Sequence, residues 1–368
     1  MQVLQISTAL PKKGYSTEKL METFPCQLPE GVKQNAMNLG VSKRYLINHP
    51  EAEGVLSEEE LLSLCEEACG NAAEKAGLSV EDVDCVVAAY DVNPFLSPGL
   101  GQLLAPRLGL NVYAKVVNVQ GIASTAFIKT LELAENYLAV HPEDNVLLCV
   151  SGVSSYWFHN QVRGLKDVME IDKISLINDK AKRELELRKW VATMEFFLFG
   201  DGVAAAVVAN KGKGLTVGSM VEVTNVEERD YLAGYARLAA LDEPFKFGFY
   251  SHLDKEIPKL GVKYTDLALK RLLGENAEKT MRAAKKWAVH TGSEKILNAL
   301  AEHHGVDSAK LEESHQVLRE CGNLAGASLP FILEEIVNGD RLCGGDVVLM
   351  LGYGWGFSAS ACTLQFQE

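Results

Sequence analysis

The chain is short of basic residues, of paired cysteines and of long apolar runs. Lysine and arginine number 36 against 49 aspartates and glutamates, a net charge of −13. Such an excess argues against a nucleic-acid or anionic-membrane surface, although a local basic patch can still meet a phosphorylated cofactor. The eight cysteines form no C-x-x-C pair, and most lie in apolar segments such as Leu147–Val150. They read as reduced, buried thiols of a cytoplasmic protein. No apolar run approaches the roughly 20 residues needed to span a bilayer. The first residues, Gln2–Thr8, already read as a strand, with no basic-then-apolar leader before them.

What is present is an ordinary globular composition, 47% hydrophobic and 23% charged, in 368 residues. Apolar strands such as Cys85–Tyr90 and Val146–Val150 alternate with helical patterns. This predicts an α/β fold with a largely parallel sheet buried on both faces. Ser57 and Glu60 form a capping box for a helix ending near Gly77, with Leu61, Leu64, Cys65, Ala68 and Ala72 on one side. The order strand, helix, strand, helix, strand occurs twice. This predicts two related halves, residues 1–210 and 211–368, joined near 209–214. Between about 156 and 197 the charges alternate in sign. The expected form is a solvated helical insertion, with a lid or a dimer contact as the alternative.

Three polar residues end apolar elements at loops. The apolar run Lys115–Val119 reads as a buried strand that stops at Gly121 and turns into a helix, Ser124–Leu138. Ser124 sits where unpaired backbone N–H groups cluster, so it is either a helix cap or a nucleophile beneath an oxyanion. His290 closes the strand Trp287-Ala-Val-His290 and is either a core histidine or a base. Asn323 stands between two helices, as a cap or as an amide donor to a substrate oxygen. His303, His304 and His315 lack a carboxylate or cysteine at ligand spacing, so a surface helix is expected and no metal. Gly352-Tyr-Gly-Trp-Gly356 lies between strands, which excludes a dinucleotide fingerprint.

Five segments together carry a resemblance: Ala123–Phe127, Leu198–Gly202, Trp287–Gly292, Ser314–Asn323 and Gly352–Gly356. In this order they look like the type III polyketide synthase and ketoacyl synthase III branch of the thiolase superfamily. The resemblance implies a five-layered α-β-α-β-α fold of two related halves and a homodimer. It also implies an acyl-CoA or acyl-carrier thioester as substrate, with no tightly bound cofactor. In that family a cysteine takes the acyl group, while a histidine and an asparagine stabilise the enolate of a decarboxylating malonyl thioester. His290 and Asn323 match the latter two, and Ser124 falls where the cysteine stands. Phe199 matches a phenylalanine at the mouth of the acyl cavity, and Ser251 falls at the second such phenylalanine. Thr291 and Trp355 stand where the family commonly has proline, so a reshaped pocket is expected. Lys33, Lys43 and Arg44 lie in the region that contacts CoA phosphates in relatives.

A serine is far too weak an acid for a helix N-terminus to ionise, so Ser124 needs a base, and His290 is the candidate. The expected activity is acyl transfer or condensation through an acyl-Ser124, with His290 and Asn323 as base and oxyanion donors. One alternative is direct transfer or malonyl-thioester decarboxylation without a covalent intermediate. Another is a non-catalytic subunit paired with an active, related thiolase-fold subunit.

Overall fold

A computed structural model describes residues 1–47, 58–93, 95–238, 249–339 and 342–367. The predicted cap at Ser57 lies outside the described residues; the helix it would open runs Glu58–Lys75. The early strands are β1 (Gln2–Ala9), β2 (Gly14–Ser16), β3 (Lys43–Tyr45), β4 (Cys85–Tyr90), β5 (Lys115–Gln120) and β6 (Val146–Ser151). Next come β7 (Val203–Ala209), β8 (Leu215–Val223), β9 (Gly234–Leu238) and β10 (Phe249–Leu253). The last three are β11 (Lys286–Val289), β12 (Val347–Gly354) and β13 (Ser358–Phe366).

Nine strands form one sheet in the order β11-β12-β13-β8-β1-β7-β6-β4-β5, and β9–β10 and β2–β3 are separate two-stranded antiparallel sheets. In the first run β4 is parallel to β5 and β6, while β7 is antiparallel to β6 and β1. The second run repeats that pattern: β11 is parallel to β12, and β13 is antiparallel to β12 and β8. Gln2 and Val3 pair with Thr216 and Leu215, so the two runs join edge to edge.

Two helices lie between the runs. Ala126–Val140 touches β4 and β6 on one side and β13 on the other, and Ser328–Asn338 touches β1 and β7 as well as β11 and β12. Phe127, Leu131, Leu329, Ile332, Leu148, Ala206, Val348 and Met350 interlock in this middle layer as one apolar cluster. Glu58–Lys75 covers the outer face of the first run and Ile257–Leu273 that of the second. The layers are therefore helix, sheet, helix, sheet, helix, as the fold class predicts.

Two expectations are corrected. β5 is an edge strand with Lys115, Val117 and Gln120 exposed, so its apolar run is not a buried strand. The segment 156–197 is not simply solvated. Its helices, Ser155–Val162, Ile171–Ser175 and Lys180–Leu198, pack Val162, Ala192, Met194, Phe196 and Phe197 on Leu20, Phe24 and Val32. Only the first half of the long helix follows the charge pattern out to solvent.

Candidate active site

The turn after β5 tightens into a short 3-10 segment, Ala123–Thr125, before the central helix begins at Ala126. Ala123 has φ +45°, a left-handed conformation uncommon for a residue with a Cβ. Ser124 is buried and is not the helix cap; that place is taken by Thr125, which makes no capping bond. The Thr125 hydroxyl instead donates to the Ile122 carbonyl at 2.8 Å. The cap reading of Ser124 thus gives way to a hydroxyl on a strained turn.

That turn is held from behind by glycines. A Cβ on Gly354 would stand 3.0 Å from the Ser124 nitrogen and 3.1 Å from the Ala123 Cβ, and one on Gly352 would stand 2.8 Å from the Ser124 carbonyl oxygen. The Gly-Tyr-Gly-Trp-Gly hairpin is therefore the seat of the serine turn. From the other side, Ala123–Thr125 packs against Ala325–Ala327. A Cβ on Gly326 would come within 2.8 Å of the Ala126 Cβ.

His290 follows β11, and its N–H donates to the Leu351 carbonyl at 3.0 Å, one residue from Gly352. β11 is anchored at its start by an ion pair between Lys286 and Glu313 at 2.6 Å, both buried. The Tyr353 hydroxyl donates to the His290 carbonyl at 3.1 Å, and its ring stands edge-on to the imidazole, 5.2 Å between centroids. Burial pushes the imidazole down to about 3, so it is neutral at pH 7. Its Nδ1 has no hydrogen-bond partner among the described residues.

Asn323 is set by its backbone. Its N–H donates to the Leu198 carbonyl at 2.9 Å, and its carbonyl accepts from Gly200 at 3.1 Å. The side-chain oxygen accepts the Ala325 N–H at 2.8 Å, which leaves the NH₂ as the donor face. One hydroxyl couples the two polar residues: Ser328 Oγ lies 2.8 Å from Thr291 Oγ1 and accepts the Leu324 N–H at 3.1 Å. The neighbour of His290 and the neighbour of Asn323 are thereby tied to the start of one helix. Ser124, His290 and Asn323 thus all sit around the β12–β13 hairpin and the Ala325–Ala327 turn.

Asp201 is fully buried and accepts from the N–H groups of Ile47, Ser154 and Ser155 at 2.8, 2.8 and 2.9 Å and from the Ser155 hydroxyl at 2.5 Å. A Cβ on Gly152 would stand 2.0 Å from the Leu324 oxygen, and one on Gly200 2.1 Å from the Cys321 oxygen. These contacts bring the helix Ser155–Val162 beside the Asn323 loop. The missed residue there is Phe158. It stacks on Phe199 at 4.3 Å and stands edge-on to Trp355 at 6.4 Å, and Phe199 also meets Trp355 at 6.4 Å. Of the three predicted pocket residues, Phe199 and Trp355 are brought together. Ser251 lies on β10, buried.

The basic trio separates. Lys33 is half-exposed and pairs with Glu30 at 3.5 Å; Lys43 donates to the Tyr45 hydroxyl at 2.7 Å. Arg44 is wholly buried, donates to Thr17 Oγ1 at 2.5 Å, and is pulled down to about 9 by desolvation. Period-two alternation in β3 turns Lys43 and Tyr45 outward and Arg44 inward. From there Arg44 cannot meet a phosphate arriving from solvent, which corrects its place among the CoA-binding residues.

His303 and His304 do find a carboxylate, from a helix remote in sequence: the ligand atoms of Asp266, His303 and His304 lie within 4.8 Å of one another. Asp266 already accepts from Lys270 at 2.6 Å, and His315 pairs with Glu294 at 3.0 Å. No helix among the described residues is long and apolar enough to cross a membrane.

Residues 275–366 match the family model of the 3-oxoacyl-[acyl-carrier-protein] synthase III C-terminal region. Over 98% of the chain, and 92% of the relative, it is 23% identical to 3,5-dihydroxyphenylacetyl-CoA synthase of Amycolatopsis orientalis. Over 99%, and 93% of the relative, it is 27% identical to 1,3,6,8-tetrahydroxynaphthalene synthase of Streptomyces peucetius subsp. caesius. The crystal structure of 1,3,6,8-tetrahydroxynaphthalene synthase from Streptomyces coelicolor A3(2), a bacterial type III polyketide synthase, superposes with a TM-score of 0.82 at 21% identity, covering all of both chains. Along nearly its whole length the chain is thus similar to type III polyketide synthases and ketoacyl synthases III, and it has their thiolase-like fold. Within this thiolase-like fold no described cysteine occupies the serine turn. Cys65 and Cys69 are buried on the helix Glu58–Lys75, and Cys85, Cys149 and Cys362 lie on strands of the sheet.

Proposed function

We propose that this chain is a condensing enzyme like the relatives it resembles and transfers acyl groups from a CoA or acyl-carrier thioester through Ser124. The observation that supports this most is the turn itself. A buried hydroxyl stands on a left-handed alanine turn, seated on two glycines and flanked by the strand end that bears His290 and the loop that bears Asn323. Ser124 Oγ attacks the thioester carbonyl, and neutral His290 takes its proton. The Asn323 NH₂ steadies the oxyanion, the C–S bond breaks, and the departing CoA thiolate recovers the proton from His290. The acyl group then passes from the serine ester to an acceptor. Phe158, Phe199 and Trp355 wall the approach, and Lys33 and Lys43 remain as candidates for the CoA phosphates.

The depressed basicity of His290 favours one second reading. An imidazole near 3 is a reluctant proton acceptor but a good neutral N–H donor. His290 and Asn323 would then grip the thioester carbonyl for direct transfer or decarboxylation, with no acyl-serine. Division into related halves at 210/211 and assembly as a homodimer belong to the same proposal. The open edge of β5, with Val117 exposed, can accept a strand from a second copy.

Intact-protein mass spectrometry after incubation with short, long and malonyl acyl-CoAs decides between the readings. A mass gain on the Ser124 peptide supports the covalent route. Consumption of malonyl-CoA without an adduct supports the second reading. Neither adduct nor turnover would overturn both and turn attention to a related partner subunit.

A further inference from the structure

The two helices that carry the aromatic wall also carry a second, polar pairing. Phe158 and Gln161 are three apart on Ser155–Val162; Glu195 and Phe199 are four apart at the end of Lys180–Leu198. Residues at such spacings share a helix face. With Phe158 stacked on Phe199, the helices run antiparallel past one another, and Gln161 meets Glu195 one turn along. β10 packs against the same helix and adds Ser251, which also reaches Glu195.

All three side chains are at least 98% buried: Glu195 is 0%, Gln161 2% and Ser251 2% exposed. Burial pushes the Glu195 carboxyl up to about 8, against the smaller opposing pull of Ser251 and Gln161, so at pH 7 it is a neutral acid with an O–H to give. Both Glu195 oxygens, the Gln161 Nε2 and the Ser251 Oγ nonetheless have no hydrogen-bond partner of good geometry among the described residues. Four unpaired polar atoms facing each other beside an apolar wall would be costly as core packing, since each forfeits its hydration. They suit a visitor that brings its own oxygen.

We propose that Gln161, Glu195 and Ser251 form a polar subsite that selects acyl chains bearing a hydroxyl or oxo group over plain alkyl chains. This rests on the reading of the neighbouring site as an acyl-thioester site. The substrate oxygen accepts from the Glu195 O–H or the Gln161 amide, and a substrate hydroxyl donates to Glu195 or Ser251. A saturated chain placed there leaves all four atoms unpaired, which is the basis of the discrimination.

The test uses thioether analogues of octanoyl-CoA and 3-hydroxyoctanoyl-CoA, which cannot transfer their chains, with binding read by isothermal titration calorimetry. Wild-type protein is expected to bind the hydroxylated analogue about 10-fold more tightly, and Glu195→Leu to lose or invert that preference while still binding the alkyl analogue. Glu195→Gln, which retains hydrogen-bonding capacity, should keep part of the preference; Ser251→Ala should weaken it. Should Glu195→Leu fail to fold, the other two variants carry the test. Equal binding of the two analogues by the wild type overturns the subsite and leaves the acyl-thioester reading standing. No binding of either analogue by the wild type overturns that reading, and the subsite with it.

Discussion

Replacing Glu195 with glutamine removes the one ionisation of a carboxyl that is held up to about 8 from an ordinary 4.5. Desolvation is the leading cause, opposed in smaller part by Ser251 and Gln161. The folded value lies above the unfolded one. The folded chain therefore holds the extra proton between about 4.5 and 8, and the stability tied to it is fully present below that window and lost as pH rises through it. Between pH 6 and pH 9 the linkage relation gives a loss on the order of 2 to 3 kcal/mol from this residue. A chain of this length gains about 0.8 kcal/mol/K of unfolding entropy near its melting point, so the loss corresponds to about 3 °C. Thermal melts of wild type and Glu195→Gln, followed by circular dichroism in matched buffers from pH 6 to pH 9, should diverge by that amount. The wild type should fall faster as pH rises. Parallel profiles for the two proteins would refute the buried neutral acid.

Ser124→Ala should abolish covalent loading while Ser124→Cys keeps or increases it; equal labelling of wild type and Ser124→Ala, read by peptide mass spectrometry, would reject the nucleophile. His290→Ala should slow loading by about 100-fold or more if the imidazole is the base, measured by single-turnover release of CoA. Gly354→Val should cripple loading with little change in affinity for CoA, because its side chain must enter the space of Ala123 and the Ser124 nitrogen. Glu313→Ala strands buried Lys286 beneath β11 and should cost about 3 kcal/mol by chemical denaturation. Lys286 and Glu313 replaced together by apolar residues of similar volume should recover most of that loss.

The polar residues that close elements at loops were legible because a strand or helix that gives way beside a glycine makes the polar side chain there conspicuous. Ser124, His290 and Asn323 fall in that class, and the fold gathers all three around one hairpin. What stayed hidden depends on facts no local pattern carries. The apolar run of β5 looks like any buried strand, and only the sheet order makes it an edge. The helix Lys180–Leu198 mixes an exposed charged half with a buried apolar half. Its averaged pattern concealed Glu195, and the same charged stretch concealed Phe158 and Gln161. Lys43 and Arg44 share one region of the resemblance, but a three-residue strand sends their side chains to opposite faces. Asp266 joins His303 and His304 across two helices, a contact that ligand spacing along the chain does not reveal.

The seat of the serine turn has a consequence for how the molecule comes into being. Ser124 is made early, but the glycines beneath it, at 352 and 354, are made more than 200 residues later, and so is the Ala325–Ala327 turn that packs against it. A growing chain emerging from the ribosome therefore carries its hydroxyl long before it carries the clamp, and the proposed acylation has to wait for the clamp. A truncation that removed only β12 and β13 would spare Ser124, His290 and Asn323 yet take away the seat of the serine turn. The last strands to be synthesised are the ones that shape the first of the three candidate residues.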